Sequence, residues 1–227
     1  MNQRILVWDV PTRVFHWLLV LSFAGAYLTA ESERYRDIHV VLGYTLLGLL
    51  AFRLLWGFFG TRYARFRSFL YKPGEVVAYV SSLLKGKPAH YVGHNPAGSV
   101  AIWLLLALGI SAGVTGVMLF QDVGGEVVEE LHEMFSDMML AVVFIHIVGV
   151  VVSSVMHREN LVRSMVTGYK TAGPDDGIRR SHLWLGVIIL ALVTAFWVGY
   201  PATGWVTPSA DVTQAGQHDD DDEKEDD

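Results

Sequence analysis

The sequence predicts an all-α fold: an integral membrane bundle of four helices, followed by a fifth transmembrane helix towards the C-terminus. Three observations carry that expectation. The 227 residues are 52% hydrophobic and only 18% charged, low for a soluble domain. The apolar residues gather into blocks long enough to cross a hydrocarbon core of about 30 Å. Within each block they are continuous and do not alternate, which favours helices over a membrane β-barrel.

Pro11 is well placed to open a first helix over about residues 12–31, and a short charged turn, ESERYRD, ends it. A second helix is expected over 37–59. The connector Gly60 to Pro96 is more polar, and its middle, PGEVVAYVSSLLKG, reads as a short amphipathic helix at the membrane interface. The third span covers about 97–120 and is followed by the acidic QDVGGEVVEE. A fourth covers about 127–156, a basic connector follows, and a fifth span covers 182–200. Residues 1–200 are expected to form one membrane domain. The tail 201–227 ends in DDDDEKEDD and is expected to be solvated and disordered. No internal repeat is visible. The amino terminus lacks a cleavable signal pattern, so the first apolar run reads as a retained helix.

Loop charge orients the spans. Alternate connectors carry Arg4 and Arg13, then Arg62, Arg65, Arg67, Lys72, Lys85 and Lys87, then Arg158, Arg163, Lys170, Arg179 and Arg180. The opposite set holds only Arg34, Arg36 and Lys224. By the positive-inside rule the N-terminus is cytoplasmic and the C-terminus outside, in a multi-pass membrane protein.

The absence of cysteine excludes disulfides, thiolate iron–sulfur ligation and C-x-x-C-H haem attachment. Metal chemistry then falls to histidine, carboxylate or methionine. His132 and His146 lie on one apolar helix, 14 residues apart. That spacing gives a rise of about 21 Å and brings the two side chains within about 40° of one face. Histidine at membrane depth is costly unless it is paired or coordinating. Placing each helix centre at the midplane puts His16 and His146 about 8 Å to the cytoplasmic side, and His39 and His132 about 13 Å to the outside. Two depth-matched pairs suit bis-histidine ligation of two non-covalent haems b. The plainer alternative is four ordinary histidines at helix ends.

Several stretches then resemble the bacterial cytochrome b-561 family, which includes the b-type cytochrome subunit of nickel–iron hydrogenases. They are WDVPTRVFHW, HVVLGYTLLGLLAFRLLWGFFG, YVGHNPAGSVAIWLLLAL, the H-x13-H helix and HRENLVRSMVTGYK, in the family's order from about Val7 to Lys170. The resemblance implies a helical bundle holding two haems b on His16, His39, His132 and His146. It also implies electron transfer between the quinone pool and an external partner. The family pattern matches four helices; the fifth span and the acidic tail depart from it.

Arg13, one turn before His16, and Arg53, near the cytoplasmic end of the second helix, suit haem propionates, with snorkelling to lipid headgroups as the alternative. His94 and Asn95, in GHNPAG, offer polar groups to a quinone oxygen; the alternative is a helix cap. His90, His157, His182 and His218 fall in or beside loops. Glycines of the second and third helices favour close helix packing. Trp8, Trp17, Trp56, Trp197 and Trp205 suit interfacial belts.

The resulting expectation is a di-haem membrane cytochrome b. It exchanges electrons with quinone on one side and with a periplasmic c-type cytochrome or hydrogenase on the other. The acidic tail offers charge to steer a basic partner; the alternative is a solvated end with no specific partner. Two other readings stand beside it: oxidation of a small species such as superoxide at the outer haem, and a haem-free anchor or transporter. The scarcity of acidic residues inside the helices counts against a proton-coupled transporter.

Overall fold

The computed structural model describes residues 3–86 and 89–200. The acidic tail, Trp205 and His218 lie outside the described residues.

Among the described residues there are seven α-helices and two short strands. Five long helices occupy the apolar blocks: α1 (Val10–Thr29), α2 (Arg36–Phe59), α4 (Pro96–Phe120), α5 (Gly125–His157) and α7 (Leu183–Gly199). Their ends fall within two residues of the expected limits. The interfacial segment is helix α3 (Pro73–Leu84). By length and composition alone, α2 with its preceding turn, α4 and α5 are apolar enough to cross a membrane. At 33 residues α5 is about 50 Å long, so it projects beyond a hydrocarbon core. Their outer faces carry exposed Leu21, Leu55, Phe58, Ile145 and Val155. That pattern suits lipid, not water, as the surrounding solvent.

Local chemistry sets the helix starts. Asp9 caps α1 by accepting the Thr12 N–H at 2.8 Å, with Pro11 in the first turn. Asn95 caps α4 by accepting the Gly98 N–H at 2.7 Å, ahead of Pro96. Glu75 reaches back to the Lys72 N–H at the start of α3, at 2.6 Å.

Helix α1 packs along α2, α2 along α4, and α4 along α5. The core between them gathers Leu46 and Leu50 of α2, Leu106 and Leu108 of α4, Met139 of α5, and Phe66 and Phe69 of the connector. Among the described residues α1 and α5 make no backbone packing comparable to those three contacts. The side chains of Tyr27 and Asp137 still meet between these two helices, the hydroxyl donating to the carboxylate at 2.9 Å.

One end of the bundle is covered by elements absent from the sequence reading. Strand β1 (Gln3–Leu6) pairs antiparallel with β2 (Tyr169–Ala172), and the short helix α6 (Leu161–Thr167) precedes β2. The expectation of a plain basic connector after α5 is therefore corrected. The physical reason is that a four-residue strand pairing across more than 160 positions has no local signal (Arg4 faces Thr171). Gly168 makes the junction: its φ of 88° ends α6, and a Cβ there would lie 2.7 Å from the Trp8 carbonyl. Its own carbonyl accepts the N–H groups of Val7 and Trp8, which ties β1 to α6. Ile5, Val7, Trp8, Tyr63 and Ala172 fill the small core of this capped end. The opposite end, formed by the α1–α2 and α4–α5 turns, is the loop end. Residues up to Ala191 form one compact unit. Beyond it the described residues are the last turns of α7, where the Phe196 and Tyr200 rings lie 5.3 Å apart.

Candidate functional site

At the loop end, His39 on α2 and His132 on α5 face each other with ring centroids 6.1 Å apart and planes at 78°. Each ring is held from behind. His39 Nδ1 donates to the Ala26 carbonyl of α1 at 2.8 Å, and His132 Nδ1 donates to the Ala112 carbonyl of α4 at 2.9 Å. A carbonyl only accepts, so the ring proton of each sits on Nδ1 and the Nε2 lone pair is left for a metal. Two imidazoles on opposite faces of one iron, with metal–nitrogen bonds of about 2 Å, hold their centroids about 6 Å apart. The pair therefore fits a haem iron.

Beside the pair is a cavity of about 390 Å³ whose walls include Phe23, Gly43, Ala112, Gly113, Gly116 and Met139. Gly116 leaves room for the ring: a Cβ there would lie 3.0 Å from the Cε1 atom of His132, close enough that the ring would have to give by a few tenths of an ångström. Small residues on two helices and mostly apolar walls suit the edge of a planar macrocycle, and Glu31, Glu133 and Asp137 also line the cavity.

Towards the capped end, His16 of α1 and His146 of α5 lie within electrostatic reach of each other. His94, just before α4, is within reach of both, and of Arg53 and Lys170. Its ring is enclosed by Trp8 and Phe69, with centroids 4.7 and 4.8 Å away. Burial, helped by nearby Arg53, holds His94 down at about 3, so the ring is neutral. Its Nδ1 is buried without a hydrogen-bond partner, as are His16 Nδ1, Arg53 Nη1 and Arg13 Nε. Buried donors without acceptors are rare and costly, and here several converge. A group bearing carboxylates and an iron, as haem does, would satisfy His16 and the two arginines.

Arg53 does not snorkel. It is 5% exposed, with its guanidinium over the rings of Phe66 and Phe69 at 5.0 and 5.7 Å. Arg13 turns to the Val166 carbonyl of α6, which its Nη1 reaches at 2.6 Å. Asn95 spends its side-chain oxygen on the α4 cap, leaving only its amide nitrogen for another partner. Among the other histidines, His182 packs edge-on against Trp56 at 5.4 Å, and His157 closes α5.

The sequence reading passed over Asp9. Its carboxylate is fully buried and accepts from Thr12 N–H, from Trp56 Nε1–H at 3.1 Å and from the Thr61 hydroxyl at 2.5 Å. It is also the anion that both Arg13 and Arg53 sense. A signal was present: Asp two residues before a proline at a helix start is a cap signature.

A family model described as "Prokaryotic cytochrome b561" matches residues 7–168. Three curated relatives each carry the name probable Ni/Fe-hydrogenase B-type cytochrome subunit. That of Rhizobium leguminosarum bv. viciae is 24% identical over 74% of this chain and 89% of its own length. Those of Rhodobacter capsulatus and Azotobacter vinelandii are 26% and 25% identical, each over 77% of this chain and over 84% and 91% of their own lengths. No solved structure gives a significant match. With the matched region spanning His16, His39, His132 and His146, the chain belongs to the prokaryotic cytochrome b561 family, the b-type haem cytochromes of membrane electron transport.

Proposed function

We propose that the chain binds two haems b and carries electrons across a bacterial inner membrane, between a quinone and a redox protein outside. The observation that carries this is the His39–His132 pair: two Nδ1-anchored imidazoles on different helices, at the separation an iron needs. Bound haem supplies a one-electron centre whose potential the axial histidines and nearby charges tune.

In this reading His39 and His132 hold the outer haem, and His16 and His146 hold the inner one. Helices α1, α2 and α5 supply the ligands, and α4 completes the four-helix haem-binding bundle with its packing and its carbonyl anchor for His132. Arg53, buried and short of an acceptor, pairs with a propionate of the inner haem, with Arg13 beside it. His94 and Asn95 contact the quinone at the capped end, which faces the cytoplasm by its basic connectors. The N-terminus is then cytoplasmic and the acidic tail periplasmic. The relatives' names point to a hydrogenase as the external partner; a soluble c-type cytochrome is the alternative, favoured by the fifth helix and the acidic tail.

The test is stopped-flow mixing of the dithionite-reduced protein with a short-chain quinone. Rapid loss of the reduced haem absorbance supports the reading. Haem that stays reduced while a c-type cytochrome still oxidises it would remove quinone from the account.

A further inference from the structure

Four titratable residues at the capped end take no part in holding haem. Lys170 of β2 is almost fully enclosed, and its Nζ lies 3.1 Å from Glu159 Oε2. The same ammonium donates to the carbonyls of Val92 at 3.1 Å and Tyr91 at 3.4 Å, in the segment leading to His94. Glu159 Oε2 also lies 3.7 Å from His90 Nε2, and the half-exposed His90 ring meets the His157 ring edge-on at 5.4 Å. The other oxygen, Glu159 Oε1, is buried and has no hydrogen-bond partner among the described residues.

These groups form a graded series. His157 and His90 stand at the outside, Glu159 is behind them, and Lys170 is innermost, within electrostatic reach of His94. A simple staple between β2 and the connector would need only the Lys170–Glu159 pair. Buried ion pairs contribute little net stability, and a buried carboxylate oxygen without a donor costs stability. Two histidines leading inward from the surface to an orphaned carboxylate oxygen are the donors and acceptors that a proton path requires.

We propose that His157, His90, Glu159 and Lys170 form the route by which protons reach the quinone site from the cytoplasmic face. This rests on the quinone reading above. Quinone reduction takes two electrons, one from each haem, and two protons, one to each carbonyl oxygen, to give the quinol. The two protons come from bulk water at His90 and His157, and every residue of the route returns to its starting protonation state. Quinol oxidation runs the same route outward. The groups facing Glu159 are His90 of the connector, Lys170 of β2 and His157 on the helix before it.

The experiment compares wild type, Glu159→Gln and Glu159→Asp, each with its haem complement, pre-reduced and mixed with a short-chain quinone beside a pH dye. Glu159→Gln is expected to keep its haem spectrum while haem oxidation and proton uptake slow together by about 100-fold. Added azide, a small diffusible proton carrier, restores the rate, and Glu159→Asp keeps most of it. Time-resolved infrared spectra of wild type during haem oxidation show a transient carboxyl band that Glu159→Gln lacks, a readout separate from the rate. Wild-type rates and uptake in Glu159→Gln overturn the route. So does slowing that neither azide nor Asp relieves, with no carboxyl band. If Glu159→Gln does not fold, the band in wild type and the Glu159→Asp rate still decide. A wild type that quinone does not oxidise at all overturns the quinone reading itself, and the route with it.

Discussion

His39 and His132 approach to 6.1 Å while each gives its Nδ1 proton to a backbone carbonyl of a third and a fourth helix, Ala26 on α1 and Ala112 on α4. Four helices thus fix two rings. Such anchoring sets the tautomer and ring angle before any metal arrives, which limits the ordering needed on binding.

Replacing one histidine of each proposed pair with alanine should remove one haem and leave the other. Haem per chain is expected to fall by about half in His132→Ala and in His146→Ala, through the loss of an axial ligand in each. Low-temperature spectra of the two variants should show complementary remaining α-bands. Identical residual spectra would mean that the histidines do not divide into two pairs.

Gly116 tests the packing argument without touching a ligand. Because a Cβ would meet His132 Cε1 at 3.0 Å, Gly116→Val should displace the ring and lower the occupancy of the loop-end haem. The capped-end haem should keep its spectrum. Redox titration with the two haems resolved measures both.

Asp9→Ala removes the α1 cap and leaves the Trp56 and Thr61 donors unpaired in a buried site. The expected cost is on the order of 3 kcal/mol, by loss of a cap and stranding of buried donors. Thermal unfolding in detergent measures it, and Asp9→Asn should recover part of the loss. No destabilisation would contradict the role given to Asp9.

Removing the buried positive charge of Arg53 should make the capped-end haem harder to reduce. For Arg53→Met a negative shift of about 60 mV is expected, the equivalent of a tenfold change in a one-electron equilibrium. The loop-end haem should not move. A shift confined to the loop-end haem would mean that Arg53 faces the wrong site.

The long helices were legible because each carries a long apolar run, opened by proline in α1 and α4. Helix depth alone implied the proximity of His39 and His132. The capped end was not legible. Strands β1 and β2 are four residues each, and their pairing is set by tertiary closure, not by local propensity. The hub at Asp9 shows the same division: its cap was readable from the residues around it, whereas Trp56 and Thr61 come from a distant part of the chain. The Glu159–Lys170 pair was hidden likewise, since the sequence displayed only a basic connector. At Asn95 the sequence left cap and ligand contact both open, and the hydrogen bond to Gly98 shows the cap in place.

The most direct test of the central claim is haem b per chain in the purified protein, by pyridine haemochrome against quantified protein after haem-sufficient expression. Two per chain is the expected result, one for each histidine pair. A protein with one haem would contradict the pairing of His16 with His146 or of His39 with His132, and a colourless one would contradict the account as a whole.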